Sequence, residues 1–256
     1  MDYFQALILA LVEGITEFLP ISSTGHLILA AKLLGIPTTE FSKSFEIIIQ
    51  LGAILAVAIL YVKKVISQPR ILVPILIAFL PTGVIGVTFY RFIKDFLLES
   101  PLIVITSLAL GGLVLIAVDR FYRQPKTPTP LNSLSVGSAI LIGLGQSLSI
   151  VPGVSRAGAT IVSGLFTGLS RKDAVEFSFL LAVPTMVAAT GLEVIQNIHL
   201  FTLDTMPILG IGFVGAFLSA LLVVQTFLRY VKTRGFSAFG VYRIVAAALY
   251  FVFVGM

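Results

Sequence analysis

Long apolar stretches separated by short polar connections run through most of the sequence. Six of them approach the ~20 apolar residues that a helix needs to cross a bilayer. They cover residues 44–61, 71–90, 101–118, 176–197, 206–228 and the segment from 236 to the C-terminus. This pattern predicts an all-α integral membrane protein with about six transmembrane helices.

Two further apolar regions, residues 2–34 and 136–169, are each interrupted by a polar stretch that contains proline and glycine. We expect the lysine- and arginine-rich connections to be cytoplasmic and the charge-balanced connection at 91–99 to be outside. Both termini then lie outside, and the two interrupted regions enter and leave from opposite sides. They are predicted to be re-entrant helical hairpins that meet over a polar cavity, because unpaired backbone groups in lipid are costly. The cationic connections are 63–70, 120–126, 171–172 and 229–234.

The two halves of the sequence resemble each other. LPISSTGH, which begins at Leu19, parallels VPGVSRAG, which begins at Val151, and each half later places a glutamate at the head of a span. With opposite entry sides, this similarity predicts an inverted repeat, an architecture that many transporters share. We expect one membrane domain, residues 1–256, with repeat one at about 1–118, a connector at about 119–132 and repeat two at about 133–256.

Composition agrees with a membrane protein and excludes several other classes. The chain is 57% hydrophobic and 11% charged, and its mean hydropathy is +1.07, which excludes an ordinary soluble enzyme and a disordered chain. It contains no cysteine, so thiolate metal sites and cysteine nucleophiles are excluded. The net charge of +5 is interpreted as loop bias, and no nucleic-acid partner is expected.

Glu13 and Glu17 are the first candidates for chemistry. They lie four residues apart in an apolar segment, so they share one face of a helix. Ionisable residues inside a membrane mark functional sites by default. The pair is suited to hold a hard divalent cation, or one carboxyl can stay protonated as a general acid. The alternative is a surface segment with both glutamates in water.

A run of small polar residues follows directly. A helix that begins near Ser23 would offer free amides and hydroxyls to a phosphate. Ser23 and His26 are three residues apart, a spacing that suits a nucleophile and its base. The alternative is a helix cap with a structural histidine. The run consists of Ser22, Ser23, Thr24, Gly25 and His26.

Arg156 is the decisive residue of the second interrupted region. A guanidinium deep in a membrane segment needs an anion, and its fork matches phosphate oxygens. The alternative is an internal salt bridge to Glu13, Glu17, Glu46 or Glu176. These four acids exceed the cations nearby, and a divalent cation would neutralise the surplus. The other members of the predicted anion cradle are Gly153, Ser155, Gly158 and Thr160.

Four blocks in this order resemble the bacterial undecaprenyl-diphosphate phosphatases, also called bacitracin-resistance proteins: EGITEFLPISSTGH, FEIIIQLGAILAV, PGVSRAGATI and EFSFLLAVP. The resemblance covers nearly the entire chain. It implies a multi-pass enzyme of the bacterial plasma (inner) membrane that removes the terminal phosphate of undecaprenyl diphosphate and recycles the lipid carrier for peptidoglycan synthesis. It also implies a divalent cation, Mg or Ca.

The family motifs fall on particular residues of this chain. The resemblance places the acidic motif on Glu13 and Glu17 and the arginine motif on Ser155 and Arg156. The serine and histidine motif falls on Ser22, Ser23, Thr24 and His26. One departure is Ala157, where family members commonly have serine, and it puts in doubt a hydroxyl contact from that position.

The resulting hypothesis is an outward-facing (periplasmic) site in which Arg156, the cation and the hairpin amides hold the diphosphate. Ser23 is the preferred nucleophile, with His26 as acid and base, and Glu13 and Glu17 hold the metal or orient His26. A histidine nucleophile or a water on the cation would use the same residues. The rival function is an inverted-repeat transporter or flippase for a phosphate-bearing lipid or anion. The expected partners are the polyprenyl diphosphate substrate and the bilayer, and a homodimer is left open.

Overall fold

The computed structural model describes residues 1–89, 100–200 and 202–254, and those residues form helices and connections without strands. The connection predicted at 91–99 lies outside the described residues. The helices are α1 (Tyr3–Thr16), α2 (Ser23–Leu33), α3 (Glu40–Ser67), α4 (Leu72–Thr88), α5 (Pro101–Phe121), α6 (Val136–Ser147), α7 (Arg156–Phe166), α8 (Arg171–Gln196), α9 (Met206–Val231) and α10 (Ser237–Val254).

Within the described residues, five helical segments are long and apolar enough to cross a membrane, and they coincide with five of the six predicted spans. They are α3, the Pro69–Thr88 segment that contains α4, α5, α8 and α9. The sixth predicted span forms α10, which is apolar but has only 18 residues. At 1.5 Å per residue, α10 is ~27 Å long, close to the ~30 Å of a hydrocarbon core.

The two interrupted regions form pairs of short helices. The first pair is α1 and α2, with 14 and 11 residues, and the second is α6 and α7, with 12 and 11 residues. Each is ~16–21 Å long and so too short to cross the bilayer alone. The members of each pair pack together, and each second helix follows a serine with positive φ, 72° at Ser22 and 76° at Ser155.

The two pairs open toward opposite ends of the long helix α3. The Gln5 side chain donates a hydrogen bond to the carbonyl of Leu34, so the first pair starts and finishes together, shortly before α3 begins at Glu40. The second pair finishes near the C-terminal end of α5, because the Tyr122 hydroxyl donates to the carbonyl of Leu169. The C-terminal end of α3 lies at this same end, where Lys64 contacts Glu176.

Ion pairs join several helix ends on this second side. Lys64 of α3 pairs with Glu176 of α8, and Arg171 pairs with Asp119 of α5 at 3.1 Å. Asp119 also accepts hydrogen bonds from the backbone and the hydroxyl of Ser237, where α10 begins. We call this side the ionic end. Lys64 and Arg171 belong to two of the four cationic connections, and Asp119 and Ser237 lie within three residues of the other two.

Small residues let the helices approach closely, as is usual between membrane helices. A Cβ atom added to Gly52 of α3 would lie 2.3 Å from the carbonyl oxygen of Phe213 in α9. Gly112 of α5 and Gly240 of α10 face each other, and a Cβ on either would lie 2.6 Å from the carbonyl oxygen of the other. These contacts fix the frame that holds the two short pairs.

Candidate active site

The connections inside the two short pairs meet at one polar cavity of about 190 Å³. The first connection and the start of α2 contribute Glu17, Ser22, Ser23 and Thr24, and the second connection and the start of α7 contribute Ser149, Ile150, Pro152, Gly153, Ser155 and Arg156. Helices α3, α4 and α8 complete the wall with Gln50, Thr82, Thr185 and Met186. Residues of both interrupted regions therefore line the same site.

Glu17 joins the two connections directly. Its Oε2 atom accepts a hydrogen bond from the Ser23 hydroxyl at 2.6 Å, and its Oε1 atom accepts one from Arg156 Nη2 at 2.8 Å. The Glu17 and Arg156 side chains are only 4% and 10% exposed, so water screens this ion pair weakly. Of the four salt bridges considered for Arg156, this is the one that forms in the described residues.

Arg156 keeps an unused donor. Its Nη1 atom donates to the carbonyl of Ser178 at 2.8 Å, and the guanidinium carbon lies 5.7 Å from the ring centroid of Phe18. The buried Nε–H has no hydrogen-bond partner among the described residues. Arg156 lines the cavity, so an anion placed there would meet a guanidinium whose hydrogen-bonding capacity is not fully used.

The start of α2 forms a second anion-binding element. Ser22 precedes the helix but its side chain makes no capping hydrogen bond, so the first-turn amides are left without a side-chain acceptor. Ser155, which precedes α7, does cap its helix by accepting from the Gly158 amide at 3.1 Å. Free helical amides bind phosphate well, and those of α2 begin at the cavity wall.

His26 does not make the contact expected from its spacing. Side chains on a helix tilt toward its N-terminus, and His26 Nδ1 lies 2.7 Å from the carbonyl oxygen of Ser22, one turn earlier. Its Nε2 atom lies 2.7 Å from the Tyr242 hydroxyl. Ser23 instead donates to Glu17, and no hydrogen bond joins Ser23 to His26 in the described part of the chain. Ser22 and Ser23 line the cavity, and His26 is not among the residues that line it.

Glu13, one helical turn before Glu17, is likewise not among the residues that line the cavity. It is fully buried, and neither carboxylate oxygen has a hydrogen-bond partner among the described residues. Within those residues, no group of three or more histidine, aspartate or glutamate side chains is arranged to hold a metal ion. A fully buried carboxylate with two free oxygens nevertheless has the donor chemistry that a hard divalent cation prefers.

The remaining predicted residues have structural contacts. Gly153 lines the cavity with φ of 90°, and a Cβ there would lie 2.7 Å from the carbonyl oxygen of Val104. Thr160 donates to the carbonyl of Arg156 at 2.8 Å and so holds the first turn of α7. Thr160, Gly25 and Gly158 are not among the residues that line the cavity.

Several polar wall residues were not selected from the sequence. Gln146, fully buried in α6, donates to the hydroxyls of Thr82 at 3.0 Å and Thr185 at 3.2 Å, and both threonines line the cavity. The available signal was a polar amide inside an otherwise apolar helix.

Arg243 is the most important residue that the sequence analysis missed. It is 1% exposed and donates to five backbone carbonyls, at distances between 2.8 and 3.2 Å. One belongs to the first connection, two to the second and two to α5, so one side chain ties both connections to a spanning helix. An arginine within the apolar segment after residue 236 was the available signal. The five carbonyls belong to Pro20, Ser107, Leu108, Gly153 and Val154.

Comparison with known proteins assigns the family. The profile described as "Bacitracin resistance protein BacA" matches residues 6–249. An undecaprenyl-diphosphatase of Aquifex aeolicus is 48% identical over 253 residues, which cover 99% of each chain. The undecaprenyl-diphosphatase of Wolinella succinogenes is 43% identical over the full length of both chains. With the cavity and its motif residues in place, the chain belongs to the bacitracin resistance protein BacA family.

Proposed function

We propose that the cavity between the two connections is where this chain hydrolyses undecaprenyl diphosphate to undecaprenyl phosphate and inorganic phosphate. The relatives named above carry the name of this reaction. The observation that carries the site assignment is the chain of contacts from Ser23 through Glu17 to Arg156, which places a hydroxyl, a proton acceptor and a phosphate-binding cation side by side. The reaction recycles the lipid carrier for cell-wall synthesis and accounts for bacitracin resistance.

Arg156 and the α2 amides bind the diphosphate. The free Nε–H of Arg156 donates to a phosphate oxygen while Nη1 stays on the carbonyl of Ser178, so the guanidinium does not have to reorient. The uncapped amides of α2, whose first residues Ser23 and Thr24 line the same cavity, donate to the same phosphate. Donors fixed in advance stabilise the charge that spreads over the equatorial oxygens in phosphoryl transfer.

Ser23 is the nucleophile. Its hydroxyl already donates to Glu17 Oε2, so the proton passes to Glu17 as the Ser23 oxygen attacks the terminal phosphorus. The bond between that phosphorus and the bridging oxygen breaks, and undecaprenyl phosphate leaves. Water then hydrolyses the serine phosphate to release inorganic phosphate. Glu17 takes the role of base that the spacing had suggested for His26, because Glu17 is the group in contact with the hydroxyl.

Glu13 and Glu17 supply the oxygens that would hold a divalent cation. A cation held there would neutralise part of the charge of the diphosphate. The support is Glu13, whose two buried oxygens lack any partner among the described residues. A buried carboxylate without compensation is costly, and a cation removes that cost.

The two short pairs are re-entrant hairpins of opposite sense, and α10 is the sixth span. The length of each short helix and the opening of the pairs toward opposite ends of α3 support this arrangement. The ionic end is cytoplasmic because it gathers lysine and arginine. Both termini then face the outer side of the plasma membrane, and we propose that the cavity opens to the same side.

The test measures phosphate release from undecaprenyl diphosphate by the purified full-length chain in detergent. We expect Ser23→Ala to lower the rate by about two orders of magnitude or more, and Ser133→Ala, in the exposed connector, to leave it unchanged. Protein quenched during turnover should carry phosphate on Ser23. An inert purified protein that moves the lipid across proteoliposomes would establish the transporter instead.

A further inference from the structure

We infer that Tyr242 is a positioning residue of the proposed phosphatase site, and that it acts through His26 to brace the strained backbone at Ser22. The inference rests on the proposed function, because Ser22 precedes the proposed nucleophile Ser23. A continuous chain of contacts runs from the Tyr242 hydroxyl to His26 Nε2, and from His26 Nδ1 to the carbonyl oxygen of Ser22, each at 2.7 Å.

The partners of His26 fix its protonation pattern. A carbonyl oxygen can only accept, so Nδ1 carries the proton that it donates to Ser22. In the neutral ring Nε2 is then the acceptor, and the Tyr242 hydroxyl donates to it. Both ring nitrogens are therefore occupied, and His26 has no free lone pair to offer to the Ser23 hydroxyl. These contacts indicate that His26 holds the backbone in place and does not accept the Ser23 proton.

The backbone at Ser22 needs such a brace. Its φ of 72° is in the left-handed region, which a non-glycine residue occupies only where surrounding contacts hold it. The equivalent serine before α7, Ser155, has φ of 76° and is held by its own hydroxyl, which caps Gly158. Ser22 makes no such cap. The imidazole of His26 instead holds Ser22 in this conformation by donating a hydrogen bond to its carbonyl oxygen.

Two adjacent residues of α10 hold His26 and the first connection in place. The Tyr242 ring stacks on the imidazole with centroids 5.5 Å apart and an interplanar angle of 5°. The next residue, Arg243, donates to the carbonyl of Pro20, two residues before Ser22. Two adjacent side chains of α10 therefore hold the connection that presents Ser23 to Glu17. A shift of that connection would lengthen the contact from which the proposed chemistry begins.

The first experiment compares Tyr242→Phe with the unmodified chain. Phenylalanine keeps the stacked ring and removes the hydroxyl, and residue 242 is half-exposed, so the fold is retained. We expect kcat for phosphate release to fall about tenfold while KM changes less than twofold, because the hydroxyl affects the geometry of attack and not phosphate binding. Tyr3→Phe, on the exposed start of α1, is the matched control and should leave both constants unchanged.

The second experiment reads the brace directly. The chain contains two histidines, so nitrogen-15 histidine labelling in a His199→Asn background gives the signals of His26 alone. We expect a single Nδ1–H tautomer in both proteins, because the Ser22 carbonyl can only accept. Tyr242→Phe should shift the Nε2 resonance, because that nitrogen loses its hydrogen-bond donor. An unchanged Nε2 resonance and unchanged kcat in that variant would overturn the inference. This spectrum does not depend on turnover, so it stands even where Ser23→Ala remains active and the proposed nucleophile fails.

A third variant separates a brace from an acid or base. His26→Asn keeps an amide donor near the Ser22 carbonyl but cannot transfer protons, whereas His26→Ala has neither property. If the inference holds, His26→Asn retains at least a tenth of the activity of the unmodified chain. The double variant with Tyr242→Phe should then be as active as His26→Asn alone. Equal loss of activity in His26→Asn and His26→Ala would make His26 a proton-transfer group and overturn the inference.

Discussion

At the scale of single residues, Arg156 uses part of its hydrogen-bonding capacity on the protein. Glu17 and the carbonyl of Ser178 fix its orientation, and Nε remains for the substrate. A guanidinium can make these three contacts at once because its donors form a planar fork. An ammonium group is a point charge on a flexible stem and cannot replace them all.

Arg156→Lys tests this arrangement. We expect the variant to lose about a hundredfold in kcat/KM for phosphate release, since lysine cannot hold Glu17 and a phosphate oxygen in the same geometry. The measurement is the initial rate across a range of substrate concentrations. The control is Arg70→Lys, in the exposed turn before α4. Near-normal kcat/KM in Arg156→Lys would show that charge alone suffices.

Glu13→Gln tests the proposed cation. The amide keeps the size of the side chain but removes its charge, so we expect the concentration of Mg²⁺ needed for half-maximal activity to rise about tenfold. The measurement is phosphate release after chelation and stepwise return of the cation. Glu40→Gln, at the exposed start of α3, is the control. The same cation dependence in the Glu13 variant and the unmodified chain would contradict a role for Glu13 in cation binding.

At the scale of elements, the sequence predicted the spans better than the contacts between them. Five long spans coincide with apolar runs because hydropathy alone decides which segments enter lipid. The motif residues of both interrupted regions were found because polar groups are costly there. Arg243 was missed because its partners are backbone carbonyls, which every residue carries and no motif marks. The contact between His26 and Tyr242 was missed because it joins residues far apart in the chain.

Arg243→Met tests the link that α10 makes between the two connections. The substitution removes the Arg243 donor from five carbonyls, and three of them, those of Pro20, Gly153 and Val154, lie in the two connections, outside any helix. Since each unmet buried acceptor is costly, we expect the free energy of unfolding to fall by about 3 kcal/mol or more, with loss of phosphate release. Thermal unfolding followed by circular dichroism is the measurement, because the chain contains no tryptophan. Unchanged thermal stability and activity would mean that the connections hold their own shape.

At the scale of the whole molecule, charge is distributed unevenly between the two ends of the helices. At the ionic end, ion pairs join the C-terminal ends of α3 and α5 to the N-terminal end of α8, and hydrogen bonds from Ser237 to Asp119 join the N-terminal end of α10 to α5. The connection between α8 and α9 lies at the opposite end of α8 and contains no lysine or arginine. A membrane protein with this asymmetry is expected to keep the ionic end in the cytoplasm.

The absence of native cysteines makes this orientation directly measurable. A single cysteine at Asp204, between α8 and α9, should react with a membrane-impermeant maleimide in spheroplasts. One at Lys126, after α5, should react only after lysis. Both positions are exposed, so access depends on the membrane and not on burial. The reverse labelling pattern would place the ionic end outside and turn the proposed cavity mouth toward the cytoplasm, where the enzyme would meet its lipid substrate in the inner leaflet.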